Sequence, residues 1–203
     1  MEPKYTPAWI PWSNDEGGPG SMRRLITLLG NRTDVTLVSN QSNSFRAAAE
    51  DGLAVAGKRG HTLTPRSRST APSQPIVVAL WPLLEAMCLA HRITPAGGTL
   101  IALQWGDTEQ VVPGWAKACG AANLRTDEQT PLPAPELEEG FDLISDEGNN
   151  GWTRGFGADH AIRELRVLKQ RDDFDLPTLE GAMILRGHRA EAIKRLEGLA
   201  AKV

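Results

Sequence analysis

Short apolar runs alternate along the chain with segments in which apolar residues recur every three to four positions. The runs at 35–38, 76–81 and 99–105 are apolar on both sides of the pleat, as in strands that are buried on both faces. The segments between them have the periodicity and the end signals of helices. We predict these helices at 44–52, from Pro82 to about Ile93, and at about 112–122.

This order of elements predicts a parallel sheet with helices on both faces. A weaker strand at 61–64 brings the predicted number of strands to four. We therefore expect residues 1–125 to form a small, three- to four-stranded, mainly parallel Rossmann-like α/β domain.

The N-terminal arm breaks the pattern. Residues 1–20 contain four Pro, three Gly and two Trp, so we expect them to be irregular. Trp9, Ile10 and Trp12 are predicted to anchor the arm on the domain, because large apolar side chains bury much surface. Ser21 is predicted to cap a helix that ends at Gly30.

A helical C-terminal unit is predicted over residues 148–203. Three prolines between Thr126 and Pro135 indicate a linker, and we treat 126–147 as a connecting segment. Beyond it we predict helices at 158–170, 176–186 and 190–201, the second capped by Asp175 with Pro177 in its first turn. Because three short helices are marginally stable alone, this unit should dock on the sheet domain.

Composition and charge exclude some classes of protein. The 203 residues are 40% hydrophobic and 23% charged, as in ordinary globular proteins, and the net charge of −3 argues against a general polyanion binder. There is no basic start followed by an apolar run, and no stretch has the roughly 18 apolar residues of a membrane span. With two cysteines, Cys88 and Cys119, we expect free thiols and a cytoplasmic location.

The most unusual local feature is the glycine-rich loop 148–157, GNNGWTRGFG. Its backbone amides precede a helix, so one hypothesis is a phosphate site formed with Asn149, Asn150 and Arg154. The alternative is an ordered loop in which Trp152 and Phe156 staple the helical unit to the sheet domain. We favour the staple, because no P-loop Lys-Ser/Thr and no GxGxxG after a strand is present.

A second candidate is the basic segment that contains Lys58, Arg59, His61, Arg66 and Arg68. No acidic residue occurs between Asp51 and Glu85, so this loop could contact phosphates, nucleic acid or an acidic protein. The alternative is a solvated loop, which we favour because no aromatic residue is interleaved to stack on bases.

The third candidate is the carboxyl edge of the sheet, where open α/β domains bind ligands. It is predicted to present Ser39, Asn40, Gln41, Ser42, Trp81, Gln104, Trp105 and Asp107. The two tryptophans could flank a planar ligand or close the top of the core, and the sequence does not favour either. No general base or nucleophile is evident among these residues.

Catalytic and metal signatures are absent from the sequence. The four histidines are scattered without Cys or carboxylate partners at metal-ligand spacing, and no Gly-x-Ser-x-Gly elbow occurs. We therefore predict no metal and no cofactor.

The loop GNNGWTRGFG and the helical tail after it resemble uncharacterised small α/β proteins of actinobacteria and their phages. Those proteins pair a small α/β domain with a helical tail. The resemblance implies a small phage-type or accessory protein that binds a host component, and it brings no catalytic residues.

Two functions follow as hypotheses. The first is a non-enzymatic binding or regulatory protein that acts on a host or partner protein or a nucleoprotein complex. The alternative is a nucleotide-binding or nucleotide-processing enzyme that uses the carboxyl edge of the sheet. In both cases we expect no contact with a membrane.

Overall fold

A computed structural model describes residues 2–58, 60–67 and 74–203. Within these ranges, seven strands form one sheet: β1 (Thr6–Ile10), β2 (Val35–Val38), β3 (Thr62–Leu63), β4 (Ile76–Leu80), β5 (Thr99–Leu103), β6 (Ala122–Asn123) and β7 (Glu128–Gln129). Eight helices accompany them in the same ranges: α1 (Gly17–Leu29), α2 (Ser42–Glu50), α3 (Leu84–Ile93), α4 (Val111–Cys119), α5 (Pro135–Asp146), α6 (Phe156–Leu168), α7 (Leu176–Leu185) and α8 (Ala190–Ala200).

The sheet has the strand order β3-β2-β4-β5-β1-β6-β7, and all neighbours are parallel except β6 and β7. This confirms a mainly parallel α/β protein, but the prediction of three to four strands was too low. The four expected strands correspond to β2, β3, β4 and β5. The two-residue strands β6 and β7 are too short to leave a hydrophobic pattern.

The prediction of an irregular N-terminal arm was wrong. Residues 6–10 form β1, which lies inside the sheet between β5 and β6. Ile10 is buried, and the indole Nε1 of Trp9 donates to Thr130 Oγ1. Ser21 is not a helix cap, because α1 begins at Gly17 and the Ser21 hydroxyl lies within its first turns.

The strands alternate their side chains between two cores. On one face, Leu37, Val78 and Ile101 pack with α1 and α2. On the other face, Val77 and Leu100 pack with α3, α4 and the C-terminal helices. Burial on both faces explains why these strands are continuous apolar runs in the sequence.

The C-terminal helices form part of the second core. The three predicted helices are present as α6, α7 and α8, and the Asp175 carboxylate caps α7 by accepting from Thr178 N. A fourth helix, α5, lies in the predicted connecting segment and buries Leu137 and Phe141. The helical layer therefore contains four helices rather than three.

Helices α4 and α7 touch through their backbones. A Cβ atom at Gly114 would collide with the carbonyl of Pro177, and one at Gly181 would lie 2.5 Å from the carbonyl oxygen of Gly114. Only glycine allows this approach, which holds the helical layer against the sheet domain. Within the described ranges, no helix is long and apolar enough to cross a bilayer.

Candidate functional site

A crevice opens at the carboxyl edge of the sheet between β2 and β4. The chain leaves β2 for α2 on one face and leaves β4 for α3 on the other, so the loops diverge at this point. Open α/β sheets bind ligands at such switch points. We call the cavity there the switch pocket; its volume is about 480 Å³, and it is lined by Asn40, Gln41, Asn43, Ser44, Ala47, Trp81, Leu83, Trp105 and Glu109.

Asn40 holds the wall of the switch pocket together. Its Nδ2 donates to the carbonyl of Trp81 at 3.0 Å, and its Oδ1 accepts from the amide of Leu83 at 3.1 Å. Both ends of the side-chain amide are therefore used to fix the turn that leads from β4 into α3. Asn40 lies where the sequence predicted, but its role is to shape the pocket.

That turn holds Trp81 in an unusual backbone conformation. Its φ is +47°, a left-handed value that is costly for a bulky residue. The conformation places the Trp81 indole against that of Trp105, with ring centroids 5.1 Å apart and planes at 74°. An edge-to-face pair of this kind is a favourable aromatic contact.

Trp105 remains largely open to water. It is 58% exposed, although a large aromatic side chain gains free energy from burial. Trp81 packs against the core on the α1–α2 face, as one alternative has it, whereas Trp105 does not, and the two rings are not parallel walls. Instead, Trp81 supports Trp105, and the exposed surface of Trp105 is available to a planar ligand.

Two residues predicted for this edge lie behind the pocket rather than in its wall. Gln104 is buried; its Oε1 accepts from the amide of Trp12, and its Nε2 donates to the carbonyls of Gly106 and Glu109. Ser39 is also buried, and it does not line the switch pocket. Gln104 belongs to the framework of the site, whereas the Ser39 hydroxyl is buried without a hydrogen-bond partner in the described ranges.

Glu109 is a pocket residue that the sequence analysis missed. Its Oε1 accepts hydrogen bonds from the backbone amides of Val111 and Val112 at the start of α4. Its Oε2 is buried without a partner within the described part of the chain. Burial raises the pKa of Glu109, and the two backbone hydrogen bonds oppose that rise. An acidic residue just before an apolar helix was the available signal.

The glycine-rich loop lies in a different part of the molecule. Trp152 is 1% exposed and donates from Nε1 to the carbonyl of Ile144 on α5, so it is buried within the helical layer. Phe156 is not a staple, because it is 72% exposed and stacks on His160 at 5.4 Å. The two aromatic residues therefore have opposite environments.

The start of α6 is unfavourable for a phosphate. Glu147 lies beside it, with Oε1 3.4 Å from His160 Nδ1, and its negative charge disfavours a second anion there. Asn149 and Asn150 instead line a separate cavity of about 580 Å³, together with Gly148, Gly151, Gly187, His188, Arg189, Glu191, Ala192 and Arg195. Arg154 is exposed and lines neither this cavity nor the switch pocket.

The basic segment is only partly described. Lys58 and Arg66 are exposed, which agrees with a solvated loop, and His61 Nδ1 lies 2.9 Å from the carbonyl of Val35. Arg59 and Arg68 lie outside the described residues, as does most of the loop that follows. Neither Lys58 nor Arg66 lines the switch pocket.

Several nucleophilic and basic side chains line another cavity of about 420 Å³, namely Lys4, Cys88, His91 and His188. Burial raises the pKa of both Cys88 and Cys119 to about 12, so neither is a thiolate at neutral pH. Ser145 Oγ lies 2.8 Å from His188 Nε2, but Ser145 lines neither the switch pocket nor the cavity at the glycine-rich loop. Burial lowers the pKa of His188, and its ring packs on Trp152.

The switch pocket therefore combines an exposed aromatic surface, a half-buried carboxyl group and a turn with a left-handed tryptophan. In the described ranges, no three His, Cys, Asp or Glu side chains gather into a group that could hold a metal ion. Comparison of the chain with protein-family models, with curated proteins and with solved structures finds no match. The chemistry of the pocket is thus the guide to function.

Proposed function

We propose that this protein binds a nucleotide-class ligand, with its flat heterocycle in the switch pocket. The observation that carries the proposal is Trp105, a 58% exposed tryptophan supported edge-to-face by Trp81 at the switch point of a parallel sheet. Stacking of a base on an aromatic ring contributes about 1–3 kcal/mol, which repays the exposure of such a side chain.

The remaining pocket residues fit the same class of ligand. Leu83 adds an apolar wall, and the polar residues Asn43 and Ser44 lie in the first turn of α2. A volume of about 480 Å³ falls within the range of small-molecule sites. We propose binding as the activity of the pocket, with the Ser44 hydroxyl and the Glu109 carboxyl group among its polar lining.

Thermal-shift and calorimetric titrations with nucleosides and nucleotides test the proposal. A ligand at one hundred times its Kd should stabilise the fold by about 2.7 kcal/mol. Trp105→Ala should weaken binding by about tenfold or more, since the stacking surface is removed. Phe156→Ala removes an exposed aromatic ring outside the switch pocket and should bind like the wild type.

Two results would contradict this function. One is that no nucleoside or nucleotide alters the melting temperature of the wild-type protein. The other is that Trp105→Ala binds as tightly as Phe156→Ala, since stacking would then contribute nothing.

A second candidate function is suggested by the outer surface of α5 and α6. Phe156 is 72% exposed, and Leu143 and Val167 on the same two helices are also exposed. Phe156 and Val167 lie at opposite ends of α6, about 16 Å apart at 1.5 Å per residue, so the surface is extended and is not one compact patch. Exposed apolar side chains of this kind are compatible with the hypothesis that the chain acts on a host or partner protein or a nucleoprotein complex, as a phage-type or accessory protein would.

Affinity capture with matched baits separates the two functions. A partner protein retained in stoichiometric amount by the wild type and by Trp105→Ala, but lost with Phe156→Ala, would support the second candidate. Equal retention by all three baits would exclude the α5–α6 surface. The predicted cytoplasmic location and phage origin stay predictions.

A further inference from the structure

Among the described residues, two polar atoms in the wall of the switch pocket are buried without hydrogen-bond partners. They are Trp81 Nε1, a donor, and Glu109 Oε2, an acceptor, and both residues line the pocket. Folded proteins rarely leave buried polar atoms unpaired, because such an atom loses its hydrogen bonds to water and gains none in return. Five other side-chain atoms without hydrogen-bond partners lie elsewhere in the described ranges, whereas Trp81 and Glu109 line the same cavity with atoms of opposite character.

The geometry of Glu109 leaves only one of its oxygens for a ligand. Oε1 already accepts from the amides of Val111 and Val112, which fixes the orientation of the carboxyl group. The two amides bond Oε1 only, so a hydrogen bond to Oε2 has to come from another group, such as a ligand. An ionised carboxylate only accepts hydrogen bonds, and an indole N–H only donates.

We propose, on the basis of the function above, that Glu109 and Trp81 recognise the edge of a nucleobase. Glu109 Oε2 accepts from an amino group on the heterocycle, and Trp81 Nε1 donates to a ring nitrogen. Nucleobase edges present such donors and acceptors side by side, and carboxylates accept from their exocyclic amino groups. Glu109 is thus the residue that determines which heterocycle binds, whereas Trp105 stacks on any of them.

Two pairs of purine nucleosides isolate the amino group. Guanosine and inosine differ only in the 2-amino group, and adenosine and purine riboside differ only in the 6-amino group. The wild-type protein should prefer the amino-bearing member of at least one pair by about tenfold in calorimetric titration, because hydrogen bonds to charged acceptors are the stronger ones.

Glu109→Gln gives the sharpest test, because the hydrogen bonds at the start of α4 fix the orientation of the new side chain. The amides of Val111 and Val112 need an acceptor, so the carbonyl oxygen of the new side-chain amide must take the place of Oε1. The NH₂ group then lies where Oε2 was, which changes the free position from an acceptor to a donor. The variant should therefore lose the preference for the amino-bearing nucleoside or reverse it.

Two further variants complete the design. Asp15→Asn removes one negative charge from an exposed residue outside the switch pocket, in the loop after β1, and should keep the wild-type preference. Trp81→Phe keeps an aromatic ring but removes the N–H donor, so it should weaken binding of both members of the preferred pair about equally.

The outcomes separate this inference from the function on which it rests. If no nucleoside or nucleotide binds to the wild type, the proposed function and the inference both fail. If nucleotides bind but no purine nucleoside does, the inference fails while the proposed function stands. If nucleosides bind without regard to the amino group, or if Glu109→Gln keeps the wild-type preference, edge recognition by Glu109 is overturned while nucleotide binding stands.

Discussion

At the scale of single residues, the aromatic side chains of the glycine-rich loop differ sharply. Trp152 adopts a φ of +52° and buries its indole among the C-terminal helices. A Cβ atom at Gly148 would lie 2.5 Å from that indole and 2.6 Å from His188, so the loop needs glycine there to admit the ring. The Phe156 side chain is exposed, because it lies on the solvent side of α6.

Trp152→Ala should therefore lower the free energy of unfolding by about 3–5 kcal/mol, the usual cost of removing a fully buried aromatic side chain. Phe156→Ala is the matched control and should change stability by less than about 0.5 kcal/mol. Chemical denaturation measures both values, and limited proteolysis reports whether the C-terminal helices have loosened. Equal stability of the two variants would show that Trp152 is not a staple.

Glu180 on α7 carries the most perturbed carboxyl group in the described part of the helical layer. Burial raises its pKa to about 7, and the negative charges of Glu197 and Asp175 add to that rise. The usual value is 4.5, so the folded protein keeps a proton between pH 4.5 and about 7 that the unfolded chain has lost. Stability must therefore fall as the pH rises through this range.

Glu180→Gln removes this titration. Urea unfolding at pH 8 should show a gain of about 1 kcal/mol, less than the full shift implies because the group is partly exposed and screened. At pH 4 the gain should be close to zero, since the carboxyl is protonated in both states. The exposed Glu139→Gln serves as control. A gain independent of pH would contradict the assignment.

At the scale of elements, the contact between α4 and α7 depends on two small residues. The hydrophobic pattern predicts where both helices lie in the sequence, and Asp175 and Pro177 indicate where α7 begins. Nothing in that pattern indicates that Gly114 and Gly181 face one another, because they are far apart along the chain. Their backbone contact is a property of the packed helices.

Gly114→Ala should cost about 3 kcal/mol, since the added methyl group collides with the backbone at Pro177, which cannot rotate away as a side chain can. Gly198→Ala is the matched helical control: it meets no atom within 4 Å and should be neutral or stabilise by up to about 1 kcal/mol. Thermal unfolding distinguishes the two. A Gly114→Ala variant as stable as the wild type would show that α4 and α7 are not in close contact.

Local sequence signals predicted some elements correctly and misled the prediction of others. The strand at 35–38 was predicted with its observed bounds, because a four-residue apolar run bounded by turn residues has few alternatives. Helix α5 was missed because Pro131, Pro133 and Pro135 indicated a loop. Pro135 is in fact the first residue of the helix, where proline loses no hydrogen bond.

At the scale of the whole molecule, one core joins the sheet to the C-terminal helices. Val77 and Leu100 of the sheet, Trp115 of α4, and Leu179 and Leu196 of α7 and α8 belong to the same buried cluster. The apolar contacts continue without a break from the sheet domain into the helical tail. The chain should therefore unfold as one cooperative unit.

A chain ending at residue 147 tests this directly. It lacks α6, α7 and α8 and so exposes the apolar faces of α3 and α4 that those helices cover. We expect it to lose the cooperative thermal transition and to bind an apolar dye such as ANS, whereas the full chain shows a single transition. A truncated chain that melts cooperatively would establish an independent sheet domain.

The sequence by itself determined the α/β class, the strands β2, β4 and β5, the last three helices, and the edge of the sheet where Asn40, Trp81 and Trp105 meet. These features follow from local hydrophobic periodicity and from the rule that parallel strands end at one edge. Only the tertiary structure decided the place of β1, the exposure of Phe156, the burial of Gln104, and the unpaired oxygen of Glu109. Each of these depends on partners distant in the chain, which local patterns do not specify.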